Sequence, residues 1–160
     1  MRKLTAFLLL TLGSAYAINV QAGADRVGNF ALIDHEGVSH QLQKYGDSKA
    51  LVIIATSADC QENIDKLPKY RLLRTTWESK GISFLAINSS PGDSLDDIRL
   101  MDQLHNFDLP ILVDDSQLVA ENLGLNKAGE IIVLEPTRSQ VLYRGGLDTD
   151  PVRARPGLKL

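Results

Sequence analysis

The chain contains very little cysteine: among its 160 residues, Cys60 is the single thiol. One cysteine cannot form a disulfide within the chain, whereas zinc and iron–sulfur sites are built from several cysteine or histidine ligands. The three histidines, His35, His40 and His105, lie far apart and lack the spacing of metal ligands. We therefore expect the protein to hold no metal and no cofactor.

Concentrated positive charge and long apolar runs are also absent. The net charge is -3 and the 17 basic residues are scattered, so we expect no binding to nucleic acid. No apolar run reaches the roughly 20 residues that span a bilayer, so we expect no stable membrane insertion. The hydrophobic fraction of 44% and the length of 160 residues are typical of one soluble globular domain.

The N-terminus carries the pattern of a secretory signal peptide. The positive "RK" precedes the apolar "LTAFLLLTL" of residues 4–12, and the small-residue motifs "AYA" and "VQA" follow. Cleavage after these motifs would start the mature chain at Ile18 or Gly23. We expect a signal peptide over residues 1–22, one domain over residues 23–160, and a periplasmic or secreted location. A buried first helix or a retained membrane anchor is the alternative.

The rest of the chain alternates strands and helices. Residues 30–45 show two short alternating runs around "HEG", which predict a β-hairpin. The apolar runs "ALVIIATS" and "ISFLAINSS" predict buried strands, each followed by a helix, and Ser94 is a plausible N-cap for the second. A short strand, "LPILVDD", a short helix, "QLVAENLGL", and an antiparallel hairpin, "EIIVLEP" with "QVLYRGG", complete the order. The fold class that we predict is α/β, with a central mixed β-sheet flanked by helices.

Three stretches carry a resemblance to a known family: "ATSADC", "GISFLAINSSPGDSLDDI" and the long stretch from "FDLPILVDD" to "VLYRGGLD". Over roughly residues 27–148 the sequence resembles the redoxin branch of the thioredoxin-like superfamily, the alkyl hydroperoxide reductase and thiol-specific antioxidant (AhpC/TSA) relatives. The resemblance implies a thioredoxin-like fold. It also places Cys60 between a central strand and the first turn of a helix, where backbone N–H groups and the helix dipole stabilise a thiolate.

The catalytic residues that the resemblance implies are Cys60 and Ser57. Peroxiredoxins carry P-x-x-x-T/S-x-x-C, in which the hydroxyl hydrogen-bonds the thiolate or the peroxide, and Ser57 occupies the hydroxyl position. The alternative for Cys60 is a small, inert core residue. The alternative for Ser57 is a hydroxyl that caps a turn of the backbone.

The sequence departs from the family pattern at several positions. Ile53 stands in place of the peroxiredoxin proline, and Ala128, next to Lys127, stands in place of the peroxide-binding arginine. Thioredoxins have a cis-proline opposite the thiol, where this chain reads Ala128 and Gly129. Asn63 replaces the resolving cysteine of C-x-x-C. These departures weaken both peroxide reduction and disulfide cycling through two thiols.

The function that we expect is an exported redoxin whose single thiol, Cys60, attacks a disulfide or a peroxide. An external thiol reductant or a redox partner protein would regenerate it. Asp59 and Glu62 flank the thiol and either oppose thiolate formation or complement the helix dipole. The alternative is a non-enzymatic thioredoxin-like module that docks a redox partner.

A final C-terminal helix is expected to be missing. Thioredoxin-like sheets carry such a helix after the last hairpin, but only "LDTDPVRARPGLKL" remains here, interrupted by Pro151 and Pro156. Part of one sheet face would then be uncovered and available to a second copy or to another protein.

Overall fold

The structure is a computed structural model that describes residues 25–147. The predicted signal peptide and the segment of the expected missing helix lie outside the described residues. None of the helices within residues 25–147 is long and apolar enough to cross a membrane.

Seven strands and three α-helices make up the described range. The strands are β1 (Ala31–Ile33), β2 (Ser39–Gln41), β3 (Ala50–Thr56), β4 (Ile82–Asn88), β5 (Ile111–Val113), β6 (Glu130–Glu135) and β7 (Gln140–Gly146). The helices are α1 (Gln61–Trp77), α2 (Leu95–His105) and α3 (Leu118–Leu123), with 3₁₀ turns at Leu42–Tyr45 and Glu78–Lys80. The order matches the one that the sequence pattern predicts.

The main sheet has five strands in the order β5-β4-β3-β6-β7. Strands β3, β4 and β5 run parallel, and β6 is antiparallel to both β3 and β7. The predicted mixed sheet flanked by helices is therefore confirmed. Strand β3 lies at the centre and all seven of its residues are buried, which accounts for its continuous apolar run.

Alternate residues of β3 point to two separate hydrophobic clusters. Leu51, Ile53 and Ala55 pack on the side of α3 and the N-terminal segment, in a cluster that includes Leu123. Val52 and Ile54 pack on the opposite side, against α1 and α2. Burying each large side chain contributes about 1.5–3 kcal/mol. This two-sided burial fixes the end of β3, from which the chain enters the loop that carries the thiol.

The described range shows no strongly exposed large apolar side chain on the expected uncovered sheet face. Its exposed large apolar side chains lie on β1, the following turn and the helices, and none lies on the five-stranded sheet. Val133 and Tyr143 on β6 and β7 are partly buried beside the α1 cluster. An oligomer formed through this face stays a prediction.

Candidate functional site

Cys60 lies where the central strand passes into the first long helix. Strand β3 ends at Thr56, and Cys60 is the N-cap of α1, with extended backbone angles (φ −81°, ψ 98°). The thiol is free and partly exposed. Within the described residues no side-chain hydrogen bond caps the helix, and the positive end of the helix dipole favours negative charge at this position.

The Ser57 hydroxyl forms no hydrogen bond with the thiol within the described residues. Its buried hydroxyl lies 2.8 Å from Asp59 Oδ1 and 3.1 Å from Asp93 Oδ2. A hydroxyl carries one hydrogen, which these two carboxylates share. Within residues 25–147 the sulfur of Cys60 has no hydrogen-bond partner. The catalytic role expected of Ser57 stays a prediction, and it would require the hydroxyl to rotate away from both acids.

Asp93 forms hydrogen bonds that connect the loop between β3 and α1, here called the thiol loop, to the rest of the fold. Its Oδ2 accepts hydrogen bonds from the Ala58 backbone N–H (2.7 Å), from Asn88 Nδ2 (2.8 Å) and from the Ser57 hydroxyl (3.1 Å). It thereby joins the loop before α1, the end of β4 and the turn before α2. Hydrogen bonds to a charged acceptor are stronger than neutral ones, so this carboxylate holds the loop that positions Cys60.

The sequence pattern missed this contact of Asp93. It predicts the acidic stretch around Ser94 as a helix cap, and Ser94 and Asp97 do form a reciprocal capping box on α2. The Ser94 hydroxyl lowers the pKa of Asp97 by hydrogen bonding, and the Ser94 backbone N–H adds to this shift. Asp93 stands just outside the box and bonds residues 35 positions away along the chain, a pairing that leaves no local signal.

Asn63, in place of a resolving cysteine, is fully buried and links three elements. Its Nδ2 donates to the Ala55 carbonyl on β3 (3.1 Å), which also accepts from the Gly129 N–H (2.8 Å). A Cβ added to Gly129 would stand 3.2 Å from Asn63 Oδ1, and Gly129 adopts a positive φ of 84°. Among the described residues Asn63 Oδ1 itself has no hydrogen-bond partner. The second-thiol position is thus occupied by a structural amide.

The segment opposite the thiol contains no cis-proline. All peptide bonds within residues 25–147 are trans. Lys127 is exposed and lines a cavity of about 470 Å³ with Thr56 and Ala128, but Cys60 does not line this cavity. The role of Lys127 as a substitute for the peroxide-binding arginine stays a prediction.

A second polar cluster joins Asp34, His40 and Tyr45 in the N-terminal hairpin. His40 Nε2 lies 2.8 Å from Asp34 Oδ2, and His40 Nδ1 lies 2.5 Å from the Tyr45 hydroxyl. Burial raises the pKa of Asp34, but hydrogen bonds from the Val38 N–H, from His40 and from the Glu36 N–H outweigh it and lower the pKa overall. Burial, and then the Asp34 charge, raise the pKa of Tyr45. The hydrogen bonds of this cluster stabilise the N-terminal hairpin.

The described residues contain no group of three or more histidine, cysteine or acidic side chains that could hold a metal ion. The site consists of one thiol at a helix N-terminus, carboxylates around its loop and a buried amide behind it.

The comparison with family models gives the identity of the domain. The model of the AhpC/TSA family matches residues 24–145, which is most of the chain. The chain belongs to the AhpC/TSA family. The resemblance stated from the sequence is thereby confirmed. No curated protein matches the sequence significantly.

Solved structures show the same fold as this AhpC/TSA protein. A hypothetical protein from Sinorhizobium meliloti 1021 is 23% identical, with a TM-score of 0.70, over 85% of this chain and 75% of that one. Peroxidoxin BcpB from Mycobacterium tuberculosis is 19% identical, with a TM-score of 0.66, over 79% and 86%. The pneumococcal exposed lipoprotein thioredoxin from Streptococcus pneumoniae is 16% identical, with a TM-score of 0.66, over 77% and 92%. The domain therefore has a thioredoxin-like fold.

Proposed function

We propose that this protein is an exported redoxin that performs thiol–disulfide exchange through Cys60 alone. The observation that carries the proposal is the position of Cys60, a partly exposed thiol at the N-cap of α1. Thiolates at helix N-termini are stabilised by the dipole and by free N–H groups, and the thiolate is the reactive form. Export is supported by the apolar segment of residues 4–12 and the small-residue motifs after it.

Exchange is favoured over peroxide reduction by the groups around the thiol. The Ser57 hydroxyl is held by two carboxylates, and Lys127 lines a cavity that does not include Cys60. A peroxide gains little stabilisation from such a site, because developing negative charge on its oxygen would meet carboxylates rather than a cation. A disulfide needs only the attacking thiolate and a leaving thiol.

The reaction proceeds in two steps, formation of a mixed disulfide and its resolution. The Cys60 thiolate attacks one sulfur of a substrate disulfide, the substrate S–S bond breaks, and the other sulfur leaves as a thiolate. Because Asn63 is no second thiol, an external thiolate then attacks the substrate sulfur of the mixed disulfide. A new S–S bond forms between the external thiol and the substrate, and Cys60 leaves as a thiolate. The external thiol becomes oxidised in place of the chain.

The test is mixed-disulfide formation by the folded protein. Incubation with glutathione disulfide should add one glutathionyl group to Cys60, visible as a single mass adduct, and excess reduced glutathione should remove it. Cys60→Ser is the control and should give no adduct. A folded protein that forms no adduct would instead favour the non-enzymatic docking module, since such a module needs no reactive thiol. N-terminal sequencing of exported material should give Ile18 or Gly23 as the first residue.

A further inference from the structure

A groove of about 350 Å³ lies beside the thiol loop, between that loop and α2. Ala58 and Asp59 line one side, and Met101 and Leu104 of α2 line the other. Cys60 directly follows Asp59 in the chain, although it does not itself line the groove. The groove lies on the α2 side of the loop.

The α2 side of the groove is apolar and exposed. Leu100 and Leu104 are 54% and 69% exposed, although Met101 between them is buried in the core. Residues four apart lie on the same face of a helix, so the two leucines form a continuous ridge along the groove. Grouped exposed apolar side chains of this kind are characteristic of contact surfaces.

The polar lining of the groove is acidic. Asp59, Asp93 and Asp97 all line it, together with His105, and no lysine or arginine of residues 25–147 does. None of the three carboxylates forms an ion pair with a basic residue within the described range, since their bonds go to hydroxyl, amide and backbone groups. Within the described residues no basic side chain neutralises this negative charge, which attracts a cationic partner and repels an acidic one.

We propose that this groove docks a segment of the redox partner in which basic residues and an apolar side chain flank the reacting cysteine. The basic residues meet the three carboxylates, and the apolar side chain packs on the Leu100–Leu104 ridge. This docking brings the sulfur of the partner to Cys60. The proposal rests on the proposed exchange function and adds the chemical class of the partner.

The experiment compares activated peptide disulfides as probes. Each probe is a mixed disulfide with 2-nitro-5-thiobenzoate, carried by Lys-Leu-Cys-Leu-Lys, by Glu-Leu-Cys-Leu-Glu or by mercaptoethanol. The Cys60 thiolate attacks the peptide or mercaptoethanol sulfur, and nitrothiobenzoate leaves as a coloured thiolate that reports the rate. At low salt the lysine peptide should react about tenfold faster than the glutamate peptide. Screening should bring the two rates close together at about 0.5 M salt.

Matched variants locate the preference in the groove. Leu104→Ser and Asp97→Asn should each lower the ratio of the lysine-peptide rate to the mercaptoethanol-probe rate by about threefold, as expected for single rim and ridge contacts. The controls are Leu72→Ser, an equally exposed leucine on α1, and Asp96→Asn, the exposed neighbour of Asp97. They should leave this ratio unchanged.

The outcomes separate the two proposals. A reaction with the mercaptoethanol probe but no preference between peptides would overturn the docking groove and leave the exchange function standing. A preference that Leu104→Ser and Asp97→Asn do not alter would arise from net charge alone and would also overturn the groove. If folded protein reacts with no probe, the exchange function fails first and the docking proposal with it.

Discussion

Replacement of Asn63 tests whether the second-thiol position has become structural. The side chain is 1% exposed, and its Nδ2 donates to the Ala55 carbonyl at 3.1 Å. Asn63→Asp keeps the shape but places a carboxylate oxygen against that carbonyl oxygen. An uncompensated buried charge costs about 3–5 kcal/mol, so we expect a loss of that size in the free energy of unfolding at pH 7.

Asn63→Ala should cost much less than Asn63→Asp. It removes one hydrogen bond, worth about 1 kcal/mol, but also removes the unpaired buried Oδ1, whose desolvation costs about 1–3 kcal/mol. We expect the alanine variant to lie within about 1.5 kcal/mol of the parent protein once the small cavity is included. Gln43→Glu, an exposed amide-to-carboxylate change, is the control for added charge.

These differences can be measured by urea unfolding, followed by the fluorescence of Trp77, the single tryptophan. A shift of the urea midpoint with an unchanged m-value reports a change in the free energy of unfolding. The cost of Asn63→Asp should shrink as the pH falls, because the protonated acid is neutral and can donate to the Ala55 carbonyl. An aspartate variant within about 1 kcal/mol of the parent at pH 7 would refute the reasoning, since a tolerated charge means that water reaches this position.

Two further predictions concern the carboxylates that hold the fold around the site. Asp93→Ala should lower the free energy of unfolding by about 2–3 kcal/mol, because three donors lose a charged but partly exposed acceptor. Asp96→Ala is the control and should have no measurable effect. Equal effects of the two variants in urea unfolding would contradict the role of Asp93. Asp34 has a lowered pKa in the fold, so its ionised form adds stability above the ordinary value of 3.8 and this contribution disappears as the pH falls through the folded value. The stability difference between the parent and Asp34→Asn should therefore be constant above about pH 5 and shrink below pH 3.8, and a difference that grows on acidification would show the sign to be wrong.

The sequence predicts those parts of the fold that local patterns determine. The run "ALVIIATS" becomes the buried strand β3, and Ser94 caps α2 as its position before two acidic residues indicates. The position of Cys60 at the start of a helix also follows from the sequence, because an apolar run precedes this residue and a charged run follows it. Each of these features depends on neighbours within a few residues, which is the range over which propensity and capping act.

The contacts that define the site could not be predicted in the same way. Asp93 bonds Ser57 and Ala58 across more than 30 positions, and Asn63 reaches back to Ala55 under the start of α1. These pairings depend on how β3, β4 and α2 are placed by packing of the whole core. For the same reason the hydroxyl of Ser57 forms hydrogen bonds with two carboxylates and not with the thiol. The position of Ser57 in the sequence does not determine which of these partners it bonds.

The measurement that tests the account most directly is the rate at which iodoacetamide labels Cys60 in the folded protein at pH 7. A partly exposed thiol at the helix N-terminus should be labelled within about tenfold of the rate found in the urea-unfolded chain. If the thiol reacts only when the chain unfolds, the folding equilibrium lowers its labelling rate by a factor on the order of 10³ or more. Labelling at a rate comparable with that of the unfolded chain supports a reactive, accessible Cys60. Labelling suppressed by the full folding equilibrium would contradict the account and identify Cys60 as an inert core residue.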